Sequence, residues 1–121
     1  MSAYRTVIGH AHLKVRDLAR SVDFYTRFFG LHVTEEIPGV FAFLSGGPMH
    51  HELALQEAGP DAPPPNPYGI GLYHVAFEVP DQRSFAQAYN TVTKAGVPAA
   101  AVDHGISWAM YFSDPDGNGL E

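Results

Sequence analysis

Leu72-Tyr73-His74-Val75-Ala76-Phe77-Glu78-Val79-Pro80-Asp81 repeats the pattern of Gly9-His10-Ala11-His12-Leu13-Lys14-Val15-Arg16-Asp17. In each stretch a histidine opens a period-two run. Ala11, Leu13 and Val15, and then Tyr73, Val75, Phe77 and Val79, fall on one strand face, which leaves His10, His12 and Lys14, or His74 and Glu78, on the other. Each run predicts a strand with an apolar side for a helix and a polar side that carries an imidazole. Two imidazoles at equivalent places in two half-chain copies predict one shared site. The plainer reading of the duplication is folding economy alone.

The segments that follow the two runs also match. Asp17 is placed to cap a helix in which Leu18, Val22, Tyr25 and Phe28 or Phe29 recur at helical spacing, and Gly30 ends it. Asp81 caps a second helix with Phe85, Ala88, Tyr89 and Val92 as its stripe, closed by Gly96. Strands are expected at 31–34, 41–45 and 51–56, then at 99–102, 109–112 and at the terminal Leu120. Each half therefore reads β-α-β-β-β. Residues 58–69, rich in prolines that remove backbone donors and favour extended chain, form a linker. The expectation is an α+β fold, one domain over 1–121, with tandem βαβββ modules at 6–57 and 70–121. Their strands would form a curved, barrel-like mixed sheet around a metal-binding cavity, with the helices outside.

Composition narrows the chemistry. At 121 residues with 45% hydrophobic positions, the chain has the size of one compact domain. No apolar run approaches the roughly 20 residues of a membrane span, and no charged-then-apolar leader opens the sequence, so a soluble, cytoplasmic protein is expected. The absence of cysteine excludes disulfides, thiolate ligands and a cysteine nucleophile, so any metal needs nitrogen and oxygen donors. A formal charge of −6 without a basic cluster argues against nucleic acid or an acidic membrane as partner. A small-molecule substrate is the better expectation.

A third donor lies in Ser113-Asp114-Pro115-Asp116-Gly117-Asn118-Gly119-Leu120-Glu121. Asp114 to Gly117 is a turn signal, after which Glu121 falls on a last strand. His10, His74 and Glu121 are two imidazoles and one carboxylate, the set that binds Fe(II) on one face and leaves other positions open. Asp114 and Asp116 read as turn formers, and Tyr25, Phe28 and Phe29 as ordinary core. His32 and His50 carry no signal beyond exposure.

These residues resemble the vicinal oxygen chelate superfamily, which includes glyoxalase I, fosfomycin and bleomycin resistance proteins and extradiol ring-cleaving dioxygenases. The resemblance rests on His10 with Leu13-Lys14-Val15-x-Asp17, on Phe29-Gly30-Leu31, on His74-Val75-Ala76-Phe77, and on Asp114-Pro115-Asp116-Gly117-Asn118 running to Glu121. It implies that His10, His74 and Glu121 are metal ligands. His50-His51-Glu52-Leu53-Ala54-Leu55 and the stretch from Asp103 to Phe112 are similar to the segments in which single-domain catechol 2,3-dioxygenase-like members carry their active-site residues. That likeness implies an acid/base role for His51, assisted by His104 and Tyr111. An imidazole titrating near neutrality can take a catechol hydroxyl proton and return one during ring opening.

The first reading is thus an Fe(II)-dependent extradiol-type dioxygenase acting on a small catechol-like substrate. Mn, Zn, Ni and Mg are alternative metals. The second is a glyoxalase-like lyase or isomerase that uses a redox-inert divalent ion, with Glu52 as an additional ligand. Strand parity supports Glu52, since Leu53 and Leu55 look helix-packed and share parity with His51. A bulge would let His51 face the cavity instead. The third reading is a non-catalytic small-molecule binding protein of the bleomycin-resistance kind. The resemblance also implies a homodimer, with the modules paired within one chain or exchanged between two.

Overall fold

The computed structural model describes residues 3–121; Met1 and Ser2, which the expected domain includes, lie outside the described residues. In chain order the elements are β1 (Ala11–Val15), α1 (Leu18–Phe29), β2 (His32–Ile37), β3 (Phe41–Ser45), β4 (Leu53–Glu57), α2 (Gln82–Lys94), β5 (Ala100–Asp103), β6 (Trp108–Ser113) and β7 (Gly119–Leu120). The Asp17 carboxylate accepts from the Arg20 N–H and starts α1, and Gly30 ends it with a left-handed φ of 64°. Asp81 caps α2 through the Ser84 N–H. That helix closes with Gly96 N–H donating to the Thr93 carbonyl and Val97 N–H to the Val92 carbonyl, the paired bonds of a glycine-terminated helix end.

The first sheet has the order β1-β4-β3-β2, with β1 parallel to β4 and the other pairs antiparallel. The second has the order β5-β6-β7, and Val75 bridges Leu120 in parallel beside it. With that segment added, the second half repeats the first: its opening stretch lies parallel to its last strand. The expected strand through 72–80 is reduced to a few bonds: Val75 N–H to Gly119 O at 3.0 Å, Glu121 N–H to Val75 O at 2.9 Å and Phe77 N–H to Glu121 O at 2.8 Å. Among the described residues, Gly119 to Glu121 are what stands opposite to pair with it.

The strands do not close into the expected barrel. Instead the helix-facing sides of both sheets share one core. Leu13, Val15, Leu44, Leu53 and Leu55 from the first sheet and Met110, Phe112 and Leu120 from the second belong to the same cluster as Leu18, Phe24 and Tyr25 of α1. Phe29 joins the halves directly, with its ring 4.2 Å from Phe77 and stacked 5.6 Å from Phe112. Full burial of each such side chain stabilises by about 1.5–3 kcal/mol. Because that core takes one side of each sheet, the opposite sides both face outward and β1 remains a free edge.

Asp114 and Asp116 do more than form a turn. Asp114 accepts from the Tyr25 hydroxyl at 2.8 Å, from Asn118 Nδ2 at 2.9 Å and from the N–H groups of Asp116 and Asn118 at 2.9 Å. Asp116 takes Arg20 at 2.7 Å and Arg16 at 3.2 Å, and Arg16 Nε donates to the Ala62 carbonyl, which holds the linker as well. Both carboxylates are buried: Asp114 is met by several donors, and the charge of Asp116 is offset by two guanidiniums at Oδ1 while its Oδ2 is buried with no partner among the described residues.

Candidate functional site

His74, Tyr111 and Glu121 lie on the outward side of the second sheet because their neighbours Val75, Phe112 and Leu120 point into the core. Tyr111 stands across from Glu121, one step beyond the Phe112 and Leu120 pair. His74 Nε2 lies 3.0 Å from Glu121 Oε1. The Tyr111 hydroxyl meets His104 Nε2 at 3.1 Å, and its ring is 5.8 Å from that of His74. Desolvation first, then the charge of Glu121 and a hydrogen bond to it, push the Tyr111 hydroxyl above its ordinary pKa, so it remains a donor. Gly119 makes this approach possible, since a Cβ there would collide with the Tyr73 carbonyl oxygen and lie 3.2 Å from His74 Cβ.

His10 and His51 come together on the first sheet, with ring centroids 4.7 Å apart. His51 stacks on Phe43 at 4.3 Å, and its Nδ1 is 2.9 Å from Nδ1 of His50. Leu44 is paired with Leu53, yet its carbonyl accepts the Glu52 N–H at 2.9 Å. Two residues of one strand against one of the other is a bulge, and it breaks the alternation that would have turned His51 toward the helix. The Glu52 carboxylate accepts instead from the Gly46 N–H at 3.0 Å. Burial, then the nearby His10 and His50, and finally His12 depress the His51 pKa below the usual imidazole range, with Glu35 opposing. Sequence reasoning missed His50, whose only signal was its adjacency to His51.

The residues expected to hold a metal are therefore divided, with His74 beside Glu121 and His10 beside His51, the residue expected as acid/base. Among the described residues, no group of three or more His, Asp or Glu side chains gathers to hold a metal ion. A cleft of about 1250 Å³ runs between β1 and the His74 segment, lined by Lys14, Pro63, Tyr73, His74 and Tyr111 among others. The donor chemistry at His74 and Glu121 suits a divalent ion. Metal–ligand bonds of about 2.1 Å place adjacent octahedral donors about 3.0 Å apart, the separation observed, although a protonated imidazole would bond a carboxylate at the same distance. His74 Nδ1 is buried with no partner in the described chain. Among the described residues no helix is long and apolar enough to cross a membrane.

A model of the Glyoxalase/Bleomycin resistance protein/Dioxygenase superfamily matches residues 7–121. The chain is 35% identical over 117 residues to a catechol-2,3-dioxygenase of Bacillus subtilis (strain 168), a match that covers 96% of this chain and 40% of that protein. It is 32% identical over 116 residues to a biphenyl-2,3-diol 1,2-dioxygenase of Rhodococcus globerulus, covering 94% of this chain and 60% of that one. The chain thus spans between 40% and 60% of the length of these curated relatives. A solved glyoxylase/bleomycin resistance protein/dioxygenase domain from Frankia sp. EAN1pec superposes with a TM-score of 0.80 at 22% identity, covering 97% of this chain and 95% of that chain; it bears on the fold alone.

Proposed function

The chain belongs to the glyoxalase/bleomycin resistance protein/dioxygenase superfamily, and on that footing we propose that it is a metal-dependent ring-cleaving dioxygenase of the extradiol type, acting on a small catecholic compound. The observation that carries this reading is the His74 Nε2 to Glu121 Oε1 separation of 3.0 Å on a face that also presents Tyr111 and His104. His10, His74 and Glu121 would hold the metal, most simply Fe(II), which would supply electron transfer and a template for a chelating diol. The dioxygenase names of the two curated relatives favour iron over a redox-inert ion.

The chain's own residues supply the proton chemistry. His51 Nδ1 is engaged by His50, so Nε2 is the atom free to take the diol proton and to return it during ring opening. The depressed pKa of His51 keeps the ring neutral, and in the tautomer that donates Nδ1–H to His50 the Nε2 lone pair faces the diol. Tyr111 donates a hydrogen bond toward developing oxyanion charge, and His104, bonded to its hydroxyl, orients it. Glu52 spends its carboxylate on Gly46, which supports His51 over Glu52 as the residue facing the substrate.

A homodimer completes the site in this reading. His10 with His51 and His74 with Glu121 occupy outward faces of different sheets, and the apolar side chains beside them are bare. Val7 and Ile8, just before His10, are both 91% exposed, and Tyr73, against the His74 ring, is 83% exposed. Such side chains mark an association surface, and a two-fold partner sets the first sheet of one copy against the second sheet of the other.

The test is oxygen consumption by protein loaded with Fe(II) under anaerobic conditions and then mixed with catechol and air. One dioxygen consumed per ring opened, with both oxygen atoms in the product, is the expected result. Turnover of a thiol adduct with nickel, zinc or magnesium, and none of catechol with iron, would transfer the assignment to a lyase or isomerase.

A further inference from the structure

We propose that Lys14 selects substrates whose ring carries an anionic group, such as a carboxylate, remote from the chelating oxygens; only the identity of the ring rests on the dioxygenase reading above. Lys14 shares the outward face of β1 with His10 and His12, because Leu13 and Val15 are buried in the core. Four residues along a strand separate its Cα from that of His10 by about 13 Å, so a ring held near His10 can extend a substituent toward the lysine. Lys14 lines the cleft that also reaches His74 and Tyr111. Its backbone is fixed there, with the carbonyl accepting from Asn118 Nδ2 at 3.2 Å, in the turn that leads to Glu121.

The charge pattern makes Lys14 the cation available to a ligand. Among the described residues its ammonium forms no ion pair, whereas Arg16 and Arg20 are both committed to Asp116. Asp116 is the carboxylate lining the cleft, and those two guanidiniums neutralise it. The remaining titratable groups on the cleft wall are His12, Tyr73, His74 and Tyr111, with Glu121 beyond them against His74. Glu35 lies on β2, separated from β1 by β3 and β4. In a chain with a formal charge of −6, the unpaired charge of this wall is positive. A positive group in a cleft raises the local concentration of anions and discriminates for them. The prolines of the linker, Pro63 and Pro64 among them, give a ring an apolar surface to lie on.

The test is calorimetric titration of the full chain loaded with Zn(II), which cannot open the ring, against catechol and against 3,4-dihydroxybenzoate. The wild type is expected to bind the carboxylated ring about fivefold more tightly, a preference that shrinks as salt is raised. Lys14→Met should bring the ratio near one, while Lys14→Arg and the distant Lys94→Met should retain it. Equal affinities in the wild type, a preference that survives Lys14→Met, or no binding of either ring would each overturn the inference. A surviving carboxylate preference in protein that, loaded with iron, consumes no oxygen with either ring would support Lys14 as the anion site and remove the dioxygenase reading instead.

Discussion

The Tyr25 hydroxyl donates to the Asp114 carboxylate across 89 residues of sequence, at 2.8 Å, and so fastens the first helix to the turn that aims Glu121. Tyr25 is fully buried, and burial first, then the charge of Asp114 and the bond to it, and lastly Asp116 raise its pKa far beyond the ordinary tyrosine value. Tyr25→Phe strips Asp114 of a donor and should cost about 1–3 kcal/mol, read as a lower urea midpoint with an unchanged slope. The pH dependence has a definite sign. The folded state keeps a proton that the unfolded chain releases near pH 10, so this contribution is whole below about pH 10 and declines as the pH climbs toward the folded value. The phenylalanine variant should lack that alkaline decline.

Gly119→Ala tests the close approach behind His74. The added methyl must displace the Tyr73 carbonyl and crowd His74 Cβ, which pushes the His74 segment off β7. Overpacking of this kind costs about 1–3 kcal/mol. Divalent-metal affinity, measured by competition with a chelating dye, should fall along with stability. An alanine variant of unchanged affinity would mean that this approach does not set the His74 to Glu121 geometry.

His51 offers a spectroscopic check. In metal-free protein its imidazole, followed by NMR, should titrate below the unperturbed value of about 6.5 because burial and the neighbouring His10, His50 and His12 all disfavour its cation. His50→Asn removes one of those cations, so the His51 midpoint should move up toward 6.5. The acid limb of any oxygen-uptake profile should move the same way. A midpoint unmoved by the substitution would remove His50 from the account.

What was legible in the sequence was local chemistry. Asp17, Gly30, Asp81 and Gly96 mark the helix ends because capping depends on residues only a few places apart. The parity of Leu13, Val15, Leu53 and Leu55 identified the core side of the first sheet for the same reason. The Tyr25 to Asp114 and Arg20 to Asp116 contacts span 89 and 96 residues and leave no periodic trace, so the two aspartates read only as turn formers. Alternation favoured Glu52 over His51, and the bulge at Glu52 and Leu53 suspends that rule. Barrel closure could not be read either, since it depends on which free edges meet.

Whether those edges meet within one chain or between two has a clean genetic-style test. If the first sheet of one copy completes the second sheet of another, His10→Ala and His74→Ala each destroy both sites of their own homodimer. In a mixed dimer, one site collects both lesions and the other collects neither, because the intact His74 half comes from the first variant and the intact His10 half from the second. Unfolding and refolding the two inactive variants together at equal concentration makes half the dimers mixed. Metal-dependent turnover should then return to about a quarter of the wild-type value per chain. Two variants that stay silent when co-refolded, while the wild type recovers under the same protocol, would mean that each chain builds its own site and that the halves close on one another without exchange.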